Sequence, residues 1–176
     1  GILKLNGYST VIGAINSLRA GAGLIENGGA SDGVLTVDTS MLGDGHFSGL
    51  LRDGGAGKFA LVKTGAGLLR LSGISSYTGS TTVTGGTLQA FSSTAFSTAS
   101  DFVLTSGMLD VNGYSQTIAS LNNSGMVAIN LRGAWIGSTL TVSGDYTGNG
   151  GTVLLNTVLN GCLLYTSDAA DDSLRV

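Results

Sequence analysis

The sequence has few of the residues that carry charge, sulfur chemistry or backbone rigidity. Its 176 residues include no proline, one cysteine, one histidine and one tryptophan, and 11% of them are charged. A single cysteine excludes a disulfide framework within the chain. Eight basic against eleven acidic residues give a net charge of -3. The clustered lysine and arginine that neutralise nucleic-acid phosphates are therefore missing, and we expect no nucleic-acid partner.

Long apolar runs are missing as well. No run approaches the roughly 20 residues that a helix needs to cross a bilayer, so we expect no membrane insertion by this segment. Glycine is abundant, at 30 residues, and hydrophobic residues make up 42%. This composition is neither collagen-like nor typical of a disordered chain. One folded domain with a continuous core is predicted.

Short alternating apolar runs separated by glycine turns fill the sequence, and this pattern is typical of β-strands. No segment has a convincing helical period over eleven or more residues. The chain is therefore predicted to be all-β. The candidate strands lie at 34–37, 47–51, 59–62, 68–71, 81–90, 102–105, 126–131, 139–142 and 152–155.

Self-similarity decides between all-β architectures. Residues 3–15 (LKLNGYSTVIGAI) align without gaps to residues 109–121 (LDVNGYSQTIASL). Similar strands also recur about every twenty residues, beginning at 68, 87 and 108. Parallel pairing without a crossover helix requires a β-solenoid. We predict a right-handed, single-stranded parallel β-helix of about seven coils over residues 1–161; antiparallel ladders would contradict it.

Three Asn-Gly pairs suit tight corners, because both residue types adopt the left-handed conformation. They are Asn6-Gly7, Asn27-Gly28 and Asn112-Gly113. Four tyrosines stand at or beside glycine turns, which favours corner packing over a ligand cage: Tyr8, Tyr77, Tyr114 and Tyr146. Trp135 is the aromatic residue expected to make surface contacts.

The search for catalytic groups starts at His46. Asp44, Asp53 and many hydroxyl groups could complete a Ser-His-Asp set, but the arrangement is unspecific, and we interpret His46 as a turn or surface residue. Lys63-Thr64-Gly65 spells a triplet found in penicillin-recognising enzymes, yet its partner motifs are missing. We interpret this triplet as a corner.

Other segments resemble known functional motifs but lack residues that those motifs require. Gly57-Lys58 resembles the end of a phosphate-binding loop, but Arg52 and Phe59 occupy positions that need glycine and a hydroxyl. Residues 28–35 (GGASDGVL) depart from the calcium-binding nonapeptide. Asp32 with Asp38, or Asp44 with Asp53, could meet across coils as a glycosidase pair, although solvated turn acids are the favoured interpretation. We predict no catalytic, cofactor-binding or metal-binding residues.

Residues 57–90 closely resemble the passenger-associated repeat of bacterial autotransporters. The matching residues are Lys63-Thr64-Gly65-Ala66-Gly67, Leu71-Ser72-Gly73, Tyr77-Thr78-Gly79, Thr81-Thr82-Val83 and Gly86-Thr87-Leu88. Ser80 stands where the family usually has a second glycine. Residues 137–161 resemble the C-terminal region of such passengers, through Gly144-Asp145-Tyr146-Thr147-Gly148 and Leu154-Leu155-Asn156-Thr157.

This resemblance implies a fragment of an autotransporter passenger, a non-enzymatic stalk or adhesin scaffold close to the autochaperone region. Its implied location is the bacterial cell surface or outer membrane, or outside the cell as a secreted protein. It also implies an outer-membrane β-barrel further along the same polypeptide, and contacts with host surfaces or with copies of itself. The alternative is a β-helical polysaccharide-degrading enzyme.

The last fifteen residues differ in composition from the rest of the chain. Residues 162–176 (CLLYTSDAADDSLRV) contain no glycine and several acids. The string resembles the in-frame translation of a transposase adapter used in sequencing libraries. We expect this segment not to be native, and we draw no functional inference from Cys162 or from its acidic residues.

Overall fold

The chain folds into short β-strands joined by tight corners. The computed structural model describes residues 1–17, 19, 21–129, 137–157 and 161–166. Within them lie twenty strands. In chain order they are β1 (Ile2–Lys4), β2 (Thr10–Ile12), β3 (Leu24–Asn27), β4 (Gly33–Asp38), β5 (Gly45–Phe47), β6 (Leu50–Asp53), β7 (Phe59–Thr64), β8 (Leu68–Leu71), β9 (Ile74–Ser75), β10 (Thr81–Val83), β11 (Thr87–Ala90), β12 (Asp101–Leu104), β13 (Met108–Asp110), β14 (Gln116–Ile118), β15 (Ser120–Asn123), β16 (Met126–Ile129), β17 (Leu140–Val142), β18 (Tyr146–Gly148), β19 (Thr152–Thr157) and β20 (Gly161–Thr166).

The strands stack into three long sheets and one short one. The first sheet has the order β1-β3-β6-β9, the second β2-β4-β7-β10-β12-β15-β18, and the third β5-β8-β11-β13-β16-β19-β20. Strands β14 and β17 form a fourth, two-stranded sheet. Each coil contributes one strand to the second sheet, so its seven strands correspond to about six turns of chain. The predicted β-solenoid is confirmed.

The register of the second sheet gives the length of each turn. Thr10 pairs with Leu35, Leu35 with Leu61, and Leu61 with Thr81. These turns therefore take 25, 26 and 20 residues. Parallel neighbours without a helix between them are possible because corners and further strands provide the return path.

One pairing in the described part of the chain is antiparallel. Strand β20 runs against β19, with Thr152 opposite Thr166 and Thr157 opposite Gly161. This strand includes residues 162–166 of the segment expected to be non-native, and residues 167–176 lie outside the described part. The coils themselves, from β1 to β19, pair in parallel.

Aliphatic side chains stack in columns inside the solenoid. Leu69, Leu88 and Leu109 pair in register on β8, β11 and β13, and all three are fully buried. The recurrence of similar strands at 68, 87 and 108 is thereby explained. Two expected strands are divided by corners: residues 81–90 form β10 and β11, and residues 47–51 hold the end of β5 and the start of β6.

The duplicated NGYS unit builds the same turn twice. Asn6 and Asn112 have φ angles of 52° and 48°, and the glycines after them are also left-handed. Tyr8 N–H donates to Leu5 O at 3.0 Å, and Tyr114 N–H donates to Val111 O at 2.8 Å. The predicted left-handed corners are correct at these two sites.

The third Asn-Gly pair, Asn27-Gly28, has a different backbone conformation. Neither Asn27 nor Gly28 has a positive φ, so the expectation of a left-handed corner is wrong there. Asn27 is fully buried. Its Oδ1 accepts Gly7 N–H at 2.6 Å, while its Nδ2 donates to Ser31 O at 2.8 Å and Lys58 O at 3.0 Å. The amide thus ties three successive coils together, and the corner forms around it.

The prediction of corner packing likewise holds for only some of the four tyrosines. Tyr77 is fully buried, and Tyr114 and Tyr146 pack partly buried against the core. Tyr8 is 75% exposed, so corner packing is the wrong interpretation for this residue.

Candidate functional site

A lysine lies inside the solenoid, in the middle of the repeat at 57–90. Lys63 belongs to β7, where Phe59, Leu61 and Lys63 share the inward face, and it is fully buried. It pairs with Val37 on one side and with Val83 on the other. Its alkyl stem therefore occupies a position that valine holds in both neighbouring coils.

The ammonium group of Lys63 closes two corners. Its Nζ donates to Thr64 O at 2.8 Å, Gly65 O at 2.9 Å and Gly85 O at 3.1 Å. An ammonium group has three protons, so its donor capacity is filled. The interpretation of Lys63-Thr64-Gly65 as a corner is right for Gly65, whereas Lys63 and Thr64 end β7. Sequence reasoning missed that this lysine is interior. Strict alternation with Phe59 and Leu61 was the available signal.

Burial lowers the pKa of Lys63 to about 8, and the carboxylates of Asp38 and Asp44 act in the opposite direction. The hydroxyl and N–H of Ser40 hold the pKa of Asp38 below its usual value, with the Lys63 ammonium adding to the effect. The buried charge is thus balanced by carbonyl dipoles and by two acids. Such an arrangement fixes a corner and leaves no free nucleophile at Nζ.

A second polar network lies at the next corner of the repeat. The Tyr77 hydroxyl is 2.6 Å from Thr81 Oγ1, which lies 2.8 Å from Ser100 Oγ. Ser100 Oγ donates to Gly79 O at 2.7 Å. Burial raises the pKa of Tyr77 to about 12, against the smaller effect of its hydroxyl neighbours. The motif tyrosine therefore joins its own corner to the next coil.

The acidic side chains are used as acceptors for neighbouring coils. Asp32 accepts Lys58 N–H at 2.7 Å, and Asp44 accepts Leu68 N–H at 2.8 Å. Asp53 accepts Phe59 N–H at 2.7 Å, and its Oδ2 accepts the Thr78 hydroxyl at 2.7 Å. Asp32 and Asp44 lie exposed between strands, as expected of turn acids, whereas Asp53 ends β6 and is partly buried. All three also accept backbone N–H groups.

Glu26 forms a charged ladder on the outer face of the first sheet. Its Oε1 is 3.0 Å from Lys4 Nζ, and its Oε2 is 2.8 Å from Arg52 Nη2. Lys4 and Arg52 both lower the pKa of Glu26. The three residues are in register on β1, β3 and β6.

His46 lies on the outer face of β5. Its Nε2 is 2.7 Å from Ser72 Oγ, and its ring contacts Phe91 edge-on with centroids 5.8 Å apart. Asp44 and Asp53, the candidate carboxylates for a Ser-His-Asp set, accept backbone N–H groups instead. The histidine and hydroxyl thus form a coil-to-coil contact without the carboxylate of a triad.

The third sheet carries a further polar ladder on its outer face. Arg70 Nε donates to Gln89 Oε1 at 3.1 Å, and Gln89 Nε2 donates to Asp110 Oδ2 at 2.7 Å. Gln89 and Asp110 are both buried. Asp110 Oδ1 also accepts Asn112 N–H, so the ladder is satisfied internally.

Within the described ranges, no three His, Cys, Asp or Glu side chains are grouped in a way that could hold a metal ion. A membrane-crossing helix is also not found in that part of the chain. In the segment weighed as a calcium motif, Asp32 is bound to Lys58 N–H. Trp135 lies outside the described residues.

The chain is similar to one family model and to curated bacterial proteins. The family model of the passenger-associated-transport-repeat matches residues 61–90. An uncharacterized protein, YuaQ of Escherichia coli (strain K12), is 35% identical over 115 residues, which are 65% of this chain and 8% of that protein. The adhesin BmaC autotransporter of Brucella suis biovar 1 (strain 1330) is 39% identical over 89 residues, 49% of this chain and 2% of that protein.

The chain therefore spans a small fraction of the length of these relatives. No solved structure matches it. The matched repeat at residues 61–90 covers β8 to β11 and most of β7, and it includes the buried Lys63 and Tyr77. These matches support an autotransporter passenger repeat region, with the repeat itself at residues 61–90.

Proposed function

We propose that the chain is a structural segment of a surface-exposed passenger, serving as a stalk or adhesin scaffold and carrying no catalytic centre. The observation that supports this most is that its aspartate side chains are engaged in hydrogen bonds between coils. Asp32, Asp44 and Asp53 each accept a backbone N–H from the following coil. A glycosidase needs two carboxyl groups free to face one groove. Here the carboxylates stabilise the stacking of the rod instead.

The proposal includes the position of the segment in its parent polypeptide. Residues 137–161 would lie close to the autochaperone region, ahead of an outer-membrane barrel that exports the passenger to the bacterial surface. The resemblance of 144–148 and 154–157 to the C-terminal passenger region supports this placement. Residues 162–176 would not belong to the native protein; sequencing reads that overlap this junction would test that.

A deletion in the complete gene tests the structural role. Removing residues 61–80 takes out one turn, because Leu61 pairs with Thr81. We expect a shorter passenger that still reaches the cell surface, detected with an antibody on intact cells. Removing residues 137–157 should instead reduce the protease-resistant passenger, if this region assists folding. Equal effects of the two deletions would contradict a special folding role for the C-terminal region.

Activity on polysaccharides tests the absence of a catalytic centre. We expect no release of reducing ends from a panel of acidic and neutral glycans. Turnover by the wild-type chain that Asp44→Asn or Asp53→Asn abolishes would favour the enzyme instead. Because both changes also remove a backbone contact, each variant must retain the circular dichroism spectrum of the wild type.

A further inference from the structure

Four Asn-Gly steps lie within the described residues, and their surroundings differ. The three pairs at Asn6, Asn27 and Asn112 are joined by Asn149-Gly150. An asparagine followed by glycine deamidates without an enzyme when the fold permits, because glycine has no side chain that shields its own backbone nitrogen. That nitrogen attacks Cγ of the asparagine side chain. Since all four steps consist of the same two residues, the main differences in their reactivity must come from the fold.

Two of the steps are protected by one buried amide group. Gly7 N–H donates to Asn27 Oδ1 at 2.6 Å, so the nitrogen that would attack the Asn6 side chain is held in a hydrogen bond. The Asn27 side chain is fully buried, and its Nδ2 donates to Ser31 O at 2.8 Å and to Lys58 O at 3.0 Å. Reaction at either step therefore requires the breaking of hydrogen bonds between coils.

The step at Asn112 is restrained by the backbone of the preceding coil. Asn112 is partly buried, and its Nδ2 donates to Ala90 O at 3.2 Å. Its N–H donates to Asp110 Oδ1 at 2.8 Å, and the turn is closed by the bond from Tyr114 N–H to Val111 O. We expect this step to react slowly, because its amide must leave a backbone carbonyl and its turn is fixed on both sides.

The step at Asn149 lies open to solvent in the corner between β18 and β19. Asn149 and Gly150 are both exposed. The Asn149 amide is restrained by another exposed side chain, since its Nδ2 donates to Asn122 Oδ1 at 2.7 Å. A Cβ atom at Gly150 would meet no atom within 4 Å, so the peptide group of this residue has room to rotate.

The backbone nitrogen of Gly150 lies between two anchored neighbours. Asn149 N–H and Gly151 N–H both donate to Asn123 O, at 2.8 and 3.2 Å. Within the described part of the chain, no group accepts the N–H of Gly150 itself. We propose that Asn149 is a site of spontaneous deamidation in the folded chain, whereas the solenoid protects the other three Asn-Gly steps.

The reaction needs water as its single co-reactant. The Gly150 nitrogen loses its proton to solvent and forms a bond to Asn149 Cγ. The Nδ2 group takes up a proton and leaves as ammonia, so the side chain and the backbone close into a succinimide ring. Water then adds to one of the two ring carbonyl carbons and opens the ring. The product is aspartate or isoaspartate at position 149.

Isoaspartate changes the length of the backbone at this corner. It places one additional carbon atom in the main chain between Asn149 and Gly150, so the two hydrogen bonds to Asn123 O are not both kept. Strand β19 begins directly afterwards, where Thr152 N–H donates to Gly125 O at 2.8 Å. We therefore expect faster amide hydrogen exchange at Thr152 in the isoaspartate form, because local opening costs less free energy there.

Peptide mapping of the full chain, aged at pH 8 in its folded state and in urea, tests the proposal. Trypsin cleaves after lysine and arginine, which places the four steps in the separate peptides 5–19, 20–52, 71–132 and 133–175. Fragment ions distinguish Asn149 from Asn160 in the last peptide. In the folded chain we expect Asn149 to deamidate at least about tenfold faster than Asn6 and Asn27. In urea, where the hydrogen bonds between coils are lost, the four rates should agree within about threefold.

Two variants test the assignment to this corner. Asn122→Ala releases the Asn149 amide and should raise its rate about two- to tenfold, the effect of one hydrogen bond, while the rate at Asn112 in the same chain stays unchanged as an internal control. Asn149→Gln should abolish the modification, because glutamine closes a larger ring far more slowly.

The outcomes are independent of the proposed stalk function, which the gene deletions test. An Asn149 that reacts no faster than Asn6 in the folded chain would overturn the proposal. The same ratio of rates in the folded chain and in urea would overturn it too, because the sequence and not the fold would then set the order. Unchanged hydrogen exchange at Thr152 after isoaspartate formation would contradict the loosening of the corner.

Discussion

The Nζ atom of Lys63 lies 3.1 Å from the carbonyl oxygen of Gly85, which is 22 residues later in the chain and belongs to the next coil. The same atom also binds the carbonyls of Thr64 and Gly65 in its own corner. One side chain thus joins two corners from within the core. The lysine of the repeat motif is therefore a structural element that links one coil to the next.

Replacing this lysine should destabilise the rod. In Lys63→Met the alkyl stem keeps its packing, but Gly65 O and Gly85 O lose a charged donor inside the protein. Hydrogen bonds to charged groups contribute about 1.5–3 kcal/mol each, and the relief of burying a charge offsets part of the loss. We expect the free energy of unfolding, measured in urea at pH 7, to fall by about 1–3 kcal/mol. Lys58→Met, at an exposed position of the same repeat, should leave it within about 0.5 kcal/mol. Equal effects of the two changes would contradict the capping role.

The pH dependence of stability reports on the same ammonium group. The pKa of Lys63 is lowered to about 8 in the folded chain, against about 10.4 for an unfolded lysine. Between these values the unfolded chain binds more protons, so this group makes the free energy of unfolding rise with pH. Well below pH 8, Lys63 is protonated in both states and does not make the free energy of unfolding depend on pH.

We therefore expect the difference in unfolding free energy between wild type and Lys63→Met to be larger at pH 10 than at pH 7. Taking the difference removes the titration of the other groups. A difference that shrinks between pH 7 and pH 10 would mean that the folded pKa is not lowered.

Tyr77 should respond to pH in the opposite direction. Its pKa is raised to about 12, against about 10 in the unfolded chain, so above pH 10 the unfolded state loses the proton first and stability falls. Tyr77→Phe keeps the edge-on contact with Phe59, whose centroid is 5.2 Å away, and loses the bond to Thr81. We expect a loss of about 1–2 kcal/mol at pH 7 and a smaller loss at pH 11.

The matched control is Tyr8→Phe, because Tyr8 is 75% exposed. Urea midpoints at pH 7 and pH 11 provide the measurement for both variants. A Tyr77→Phe chain that loses stability above pH 10 as steeply as the wild type would exclude this hydroxyl as the cause.

Much of the fold could be predicted because a solenoid is built from local repeats. The alternation in residues 59–62 and 68–71 and the recurrence at 87 and 108 follow from side chains stacking on their own counterparts one coil away. The Asn6 and Asn112 turns were equally accessible, since an Asn-Gly pair encodes a left-handed corner locally. Turn lengths of 18 to 26 residues were harder to predict, because corners absorb insertions without changing the register of the strands.

The interior polar residues were not predictable from the local sequence. Asn27 forms no left-handed corner because its amide binds groups of the coils before and after it. Lys63 lies in the core because two corners place three carbonyls where its ammonium can reach them. In both cases at least one partner is contributed by another coil, and an alternation pattern does not reveal which groups of two coils will meet.

The stacked glycines that precede β6 and β9, Gly49 and Gly73, provide the final prediction. A Cβ atom at Gly73 would overlap the Gly49 carbonyl oxygen, which is backbone and cannot turn aside. At Gly85 the nearest atom to a new Cβ would be 3.5 Å away, an ordinary contact, and the backbone conformation suits alanine. Gly73→Ala should therefore lower the free energy of unfolding by about 1–3 kcal/mol, the range for overpacking. Gly85→Ala should be neutral or raise it by up to about 1 kcal/mol, because alanine restricts the unfolded chain. Thermal melts of both variants measure this contrast, and equal stability would mean that the coils can separate at this corner without cost.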